Sequence, residues 1–338
     1  MKGTEFAGEL DAERAARARV VEMINGSWVS QCLYVAAKLG LADLVDGATT
    51  SDQLAAAVQV DRAALYRILR GLASVGVFSE VEHGTFAVAP LGECLRTDVS
   101  GSLRAYATLT GEVGFPCWAE VMHSVKTGRP AFEHVFGTDL YSYLAARPDV
   151  AELFEDGVAE RGRELHAAVA EAVDLDGVGT IVDVGGGKGA LLAAFLEATP
   201  GARGILFDLP DVVAQAAPID RCELVGGDFF EEVPVGGDVY VLSRVVHDWD
   251  DRRAAILLAN CRRAMGDGGR LLVVSRVVPD GDSPHESKLN DLNMLVMRGG
   301  RERNEDEFRT LLERAGFRLA RVIPTSSAVS VVEGRPFD

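Results

Sequence analysis

The run Asp183-Val-Gly-Gly-Gly-Lys-Gly189 narrows the folds open to this chain more than any other stretch. It follows a β-branched run, Thr180 to Val184, and opens an apolar helical stretch. It therefore reads as a strand-to-helix turn whose glycines allow close backbone approach. From Thr180 onward, short β-branched runs alternate with helical stretches, the texture of a parallel sheet covered on both faces. Strands are expected over 180–184, 204–208, 222–225, 239–243 and 270–276, making five βα steps. After a helix near Glu305 to Ala315, closed by Gly316, the runs 317–323 and 328–333 are near enough to pair antiparallel.

The N-terminal half has a different texture. With 338 residues the chain is longer than one core usually organises, so more than one compact unit is expected. From Ala12 to about Asp46 the sequence is Ala-rich and helical, and Trp28, Leu33, Val35 and Leu39 give it more apolar surface than one helix hides. Thr50-Ser-Asp-Gln53 is a capping box, and Asp61 precedes a second helical run, Arg62 to Val75, ended by Gly76. Val77-Phe-Ser-Glu and Thr85-Phe-Ala-Val alternate around His83-Gly84 as a small β-hairpin. Two helices and a hairpin make a winged helix. Its second helix carries Arg62, Arg67 and Arg70, which raises a DNA-binding regulator against a packing or dimerisation role. The formal net charge of −17 favours the latter, since nucleic-acid affinity rests on clustered Lys and Arg.

Between Ser102 and about Asp174 the pattern is helical and rich in aromatics, among them Trp118, Tyr141 and Phe154. These residues are either core or the lining of an apolar cavity. Five scattered cysteines lack zinc or redox spacing. There is no apolar leader or bilayer-length run, so a cytoplasmic location with no membrane partner is expected.

Glycine-rich turns of this kind serve NAD, FAD or S-adenosylmethionine, and some hold no ligand at all. Asp208 ends the second strand about twenty residues on, where a carboxylate can accept bonds from both ribose hydroxyls of an adenosine. Gly227-Asp228-Phe229-Phe230 lies past the third strand, where an acid can take the adenine amino group and a ring can cover the base. The plainer reading makes Asp228 a cap and Phe229 a core residue.

Taken together, Val182-Asp-Val-Gly-Gly-Gly-Lys-Gly, Phe207-Asp-Leu-Pro, Gly227-Asp-Phe-Phe, Val246-His-Asp-Trp-Asp-Asp and Asp291-Leu-Asn-Met-Leu followed by Gly299-Gly-Arg-Glu-Arg resemble the S-adenosylmethionine-dependent O-methyltransferases of the plant caffeic acid and bacterial natural-product type. The resemblance implies an α/β fold: a Rossmann-like seven-stranded class I methyltransferase domain, its last strand antiparallel, joined to a mostly helical winged-helix dimerisation domain. The expected division is 1–101 for dimerisation, 102–174 for connecting helices that line a substrate pocket, and 175–338 for the cofactor domain. It further implies S-adenosyl-L-methionine held by Asp183, Gly185, Gly187, Asp208, Leu209, Asp228, Phe229, Phe230, Ser243, Arg244 and Trp249. His247 looks like the general base, assisted by Glu302 and Asp248, with a phenolic hydroxyl of a small aromatic or polyketide-like molecule as acceptor. A general base of this kind contributes roughly 10²–10⁴-fold in rate. Trp118, Phe154, Val158, Asn293, Met294 and Met297 are candidates to border the substrate. The partner implied is a second copy of the chain.

The sequence departs from these relatives at one place. The family commonly supports its histidine with two acids; Glu302 fills one position, but the other is Ser275, which can orient an imidazole yet brings no charge. That motivates a rival in which the bound sulfonium serves a non-methylating reaction. A further alternative takes His247, Asp248, Asp250 and Asp251 as metal ligands, though consecutive acids opening a helix also simply complement its dipole. No metal is expected.

Overall fold

The computed structural model describes the backbone of residues 2–337 and the side chains of residues 13–157, 162 and 164–337. Two compact units are present, one of Met1–Pro116 with Arg147–Arg161, the other of Cys117–Ala146 with Gly162–Asp338. The helices between residues 102 and 174 are thus shared between both.

In the first unit, the helix α1 (Lys2–Lys38) is followed by a short helix α2 (Leu41–Leu44). The expected single run to Asp46 breaks because Gly40 takes φ 63°, and a side chain there would meet the Arg104 guanidinium at 3.0 Å. Strand β1 (Thr49–Thr50) precedes helices α3 (Ser51–Val58) and α4 (Arg62–Ser74), then strands β2 (Phe78–Glu82) and β3 (Thr85–Val88). Thr50 and Gln53 form the expected capping box, and Asp61 accepts the Ala64 N–H at 2.8 Å. The sheet order is β1-β3-β2, so the hairpin has a third strand, too short to leave an alternating pattern in sequence. Leu54, Leu65, Leu69, Leu72, Phe78 and Phe86 close the core beneath it. On α1, Val20, Val21, Met23, Ile24 and Trp28 remain exposed.

The second unit is built on one sheet: β4 (Thr180–Val184), β5 (Arg203–Asp208), β6 (Cys222–Gly226), β7 (Val239–Ser243), β8 (Arg270–Ser275), β9 (Phe317–Pro324) and β10 (Ser330–Pro336). Their order is β6-β5-β4-β7-β8-β10-β9, with β10 antiparallel to both neighbours. This is the class I methyltransferase fold. The two terminal runs pair antiparallel as expected, and β10 in addition inserts beside β8. Period-two alternation sends Val182, Val184, Leu242 and Val273 to one face and Ile181, Val241, Leu272 and Val274 to the other, each face packed into its own core. The helices that matter for the site are α5 (Ala190–Ala198), α6 (Asp251–Ala264), α7 (Glu286–Met297) and α8 (Glu305–Arg314). Among the described residues, no helix is long and apolar enough to cross a membrane.

Candidate active site

At the carboxyl ends of β4, β5 and β7 the glycine-rich turn, Asp208 and Ser243 stand side by side in register. Gly185 has φ 70° and leaves no room for a side chain, whose first carbon would meet Val245 Cγ2 at 2.8 Å. Gly187, with φ 60°, has nothing within 4 Å of that position, so its open face admits a ligand against the backbone. Asp208 braces the turn: its carboxylate accepts the N–H of Gly187 at 2.8 Å and of Leu209 at 2.7 Å. Burial pushes the Asp208 carboxyl up, and these two donors oppose it. Asp228 is exposed and caps its own turn by accepting the Phe230 N–H at 2.8 Å. Phe229, Phe230 and Trp249 form an edge-to-face aromatic cluster, with the Arg253 guanidinium 4.4 Å from the Phe230 ring centre and 4.3 Å from that of Trp249. Arg244 lies in the left-handed region at φ 58°, a backbone strain that no sequence signal announced. Burial and the charge of Arg244 push His166 down to about 4.

His247 follows β7 in a single tight turn, Val246–Asp248, and is almost fully buried. The segment 299–303 is stapled to that turn. Arg301 donates its N–H to the His247 carbonyl at 2.9 Å, while the buried Arg303 guanidinium donates to the carbonyls of Val246 at 3.2 Å and Trp249 at 3.0 Å. Glu302, lying between these two arginines, is thereby delivered to His247, with Oε1 3.0 Å from Nδ1. Glu302 also accepts from Asn290 at 2.6 Å and from Ser275 at 3.2 Å. Burial pushes its carboxyl up, but the hydrogen bond and charge of His247, the charge of Arg276 and the Asn290 donor outweigh that and hold it below the usual range. The ionised Glu302 selects Nδ1 as the protonated nitrogen and leaves Nε2 as the acceptor. Ser275, a residue able to orient an imidazole, bonds the glutamate instead, its hydroxyl lying within reach of Oε2.

Asp248 sits on the other side of the ring, with Oδ1 3.3 Å from Nε2. Its Oδ2 accepts the Tyr141 hydroxyl at 2.6 Å, and Oδ1 accepts from the Arg298 guanidinium. Burial raises its carboxyl, yet the charges of Arg298 and His247 and the Tyr141 donor together hold it down. Arg298 and Asn290 were absent from the sequence expectation, and Tyr141 entered it only as one aromatic among many, core or cavity lining. Of the other acids in the metal alternative, Asp250 caps α6 through the Arg253 N–H at 2.8 Å and Asp251 pairs with Arg303 at 2.9 Å.

Residues 118–318 match the O-methyltransferase domain, and residues 21–98 match the O-methyltransferase dimerisation domain. The chain belongs to the S-adenosylmethionine-dependent O-methyltransferase family. A phenazine O-methyltransferase, PhzM, of Lysobacter antibioticus is 47% identical over 94% of this chain and 95% of its own. A phenazine-1-carboxylate N-methyltransferase of Pseudomonas aeruginosa is 36% identical over 91% of this chain and 94% of its own. The crystal structure of NcsB1, an O-methyltransferase from neocarzinostatin biosynthesis in complex with S-adenosylmethionine and 2-hydroxy-5-methyl naphthoic acid, has a TM-score of 0.81 at 32% identity, covering 91% of this chain and 96% of that one.

S-adenosylmethionine is the cofactor of this methyltransferase, and the strand tips fit it. Ser243 Oγ and Trp249 Nε1 are buried without a hydrogen-bond partner among the described residues, a costly condition that a polar ligand relieves. Asp183 is fully buried on the apolar face of β4, and neither carboxylate oxygen meets a donor in good geometry; the Leu192 N–H stabilises it only weakly. Burial and the neighbouring Asp208 push Asp183 up to about 7. An acid raised in the folded state binds more protons there than unfolded, so it costs stability as pH climbs from about 4 to 7. In the cofactor-free protein, Asp183→Asn is therefore expected to raise the melting temperature at pH 8, by about 2 kcal/mol of stability, and to change it little at pH 4. Melts at the two pH values check this.

Of the residues considered for the substrate, Trp118 donates its indole N–H to Asn293 at 3.1 Å, so those two are brought together. Asn293, Met294 and Met297 lie on α7, the helix that also supplies Asn290 to Glu302; Met294 is buried and Met297 half-buried. Phe154 belongs to the first unit, and the side chain of Val158 lies outside the described residues.

Proposed function

We propose that this methyltransferase alkylates a phenolic hydroxyl of a small aromatic or polyketide-type natural product, with His247 as general base. The observation that carries the reading is the buried His247–Glu302 pair at 3.0 Å, set beside strand tips whose buried polar atoms lack partners. When bound, S-adenosylmethionine supplies an electrophilic methyl on a sulfonium, an excellent leaving group. Asp208 and Leu209 would hold its ribose, Asp228, Phe229, Phe230, Ser243 and Trp249 would surround its base, and Asp183, Gly185, Gly187 and Arg244 would shape the place of its amino-acid end. His247 takes the acceptor hydroxyl's proton at Nε2, and Glu302 stabilises the resulting imidazolium through Nδ1. Holding the acceptor and the bound cofactor together in one site would supply much of the remaining acceleration. The phenazine and naphthoate specificities named for the relatives point to a fused aromatic acceptor. The exposed apolar face of α1, within the matched dimerisation domain, supports a homodimer.

Incubation of the purified protein with S-adenosylmethionine and a panel of hydroxylated phenazines, naphthoates and anthraquinones tests this. The expected result is a single added methyl on oxygen with one equivalent of S-adenosylhomocysteine per product. Methylation of ring nitrogen alone overturns the acceptor assignment, and product without S-adenosylhomocysteine overturns methyl transfer altogether.

A further inference from the structure

His247 is flanked by a carboxylate on each ring nitrogen, and the two cannot act alike. Glu302 at Nδ1 is matched to the proton that nitrogen carries. A carboxylate 3.3 Å from Nε2 is repulsive toward a lone pair unless a proton lies between them. Left to itself, Asp248 would hold a proton on Nε2, and a nitrogen already protonated accepts nothing from a substrate. The structure supplies a counterweight. Arg298 donates to the same Oδ1 that faces Nε2, and the Tyr141 hydroxyl takes Oδ2, so both Asp248 oxygens have donors without any contribution from the imidazole. Arg298 is itself largely buried, and its guanidinium lies 5.8 Å from the centre of the Tyr141 ring, so the three side chains pack as one group.

We propose that Arg298, acting through Asp248, is a positioning residue that keeps the Nε2 face of His247 free of a proton, so that this nitrogen is open to the acceptor hydroxyl. The claim rests on His247 being the base. Other charge facing the imidazole is accounted for: Glu302 is shared among His247, Asn290 and Ser275 and lies in the field of Arg276; Asp291 accepts the Glu302 N–H at 2.8 Å; Arg303 and Asp251 pair with each other against the backbone of the turn; and Arg301 bridges to Asp251 and Glu307. None of these supplies a donor to Asp248.

The test follows the titration of His247 in the cofactor-free protein by NMR of ring-labelled histidine. The chain has six histidines, and the His247 signal is identified by its loss in His247→Gln. In Arg298→Met the His247–Asp248 pair is expected to retain its proton to higher pH by about one unit, a roughly tenfold gain in proton affinity. The acid limb of kcat/KM should move up equally, lowering kcat/KM roughly tenfold at pH 6 and within about threefold of the parent at pH 9. Arg298→Lys keeps the charge and should return both readouts to within about twofold of the parent. Tyr141→Phe removes a donor without removing a charge and should shift the midpoint in the same direction by a few tenths of a unit. If Arg298→Met does not fold, the Lys and Phe variants decide. A folded Arg298→Met with an unmoved or lowered midpoint, or a Tyr141→Phe with no movement, overturns the proposal. A moved midpoint with an unmoved kcat/KM profile leaves the electrostatics standing and overturns His247 as the base.

Discussion

His247→Gln is expected to lower kcat by roughly 10²–10⁴-fold, the contribution typical of a well-placed general base, while leaving S-adenosylmethionine affinity within about twofold of the parent. Glutamine is the informative replacement because its amide can still donate to Glu302, whose buried carboxylate would otherwise lose its principal partner at 3.0 Å. Alanine at this position would leave that buried carboxylate to Asn290 and Ser275 alone, at a cost of about 1–3 kcal/mol, and confuse lost chemistry with lost folding. Calorimetry with the cofactor and initial rates of S-adenosylhomocysteine release separate the two effects. A loss of less than about tenfold, with cofactor binding intact, would remove the imidazole from the proton-transfer step.

The second large effect is expected from a residue with no side chain. Gly300 has its α-carbon pressed against the turn Val246–Asp248, and an added methyl would lie 2.1 Å from the His247 carbonyl oxygen and 2.5 Å from the Asp248 carbonyl carbon. Backbone cannot rotate away as a flexible side chain can, so the segment 299–303 must shift relative to the turn. That shift moves Glu302 away from Nδ1 and disturbs the Arg301 and Arg303 staples together. Gly300→Ala is therefore expected to lower kcat by about 10²-fold, the scale of a misplacement near 1 Å, although no group that touches substrate or cofactor has been removed. The overpacking should also cost about 1–3 kcal/mol of stability. Cofactor affinity should fall far less than kcat, because only Trp249 of the cofactor residues is held by these staples while the glycine-rich turn and Asp208 lie on other strands. Near-parent kcat would show that this backbone contact does not position the base.

Much of this molecule is legible in local chemistry. The alternation of β-branched runs and helices marks five parallel strands because side-chain period and turn residues act within a few positions. The glycine turn, Asp208 and Gly227-Asp228 mark successive strand tips for the same reason, and Asp61 and Thr50 announce the helices they cap. Other features have no local signature. Tyr141 and Asp248 meet across 107 positions, and Arg298 and Asp248 across 50, so only the closed sheet and its helices bring them to one imidazole. Ser275 reads in sequence as a candidate partner for His247, and only the packed end of β8 shows its hydroxyl on Glu302 instead. The insertion of β10 beside β8 is likewise decided by pairing over more than fifty residues of chain. Sequence by itself determined the five parallel strands, the glycine-rich turn and His247 as the candidate base, each encoded by neighbours within a few positions. Tertiary structure alone decided which charges surround that base, because electrostatic neighbours are set by distance in space.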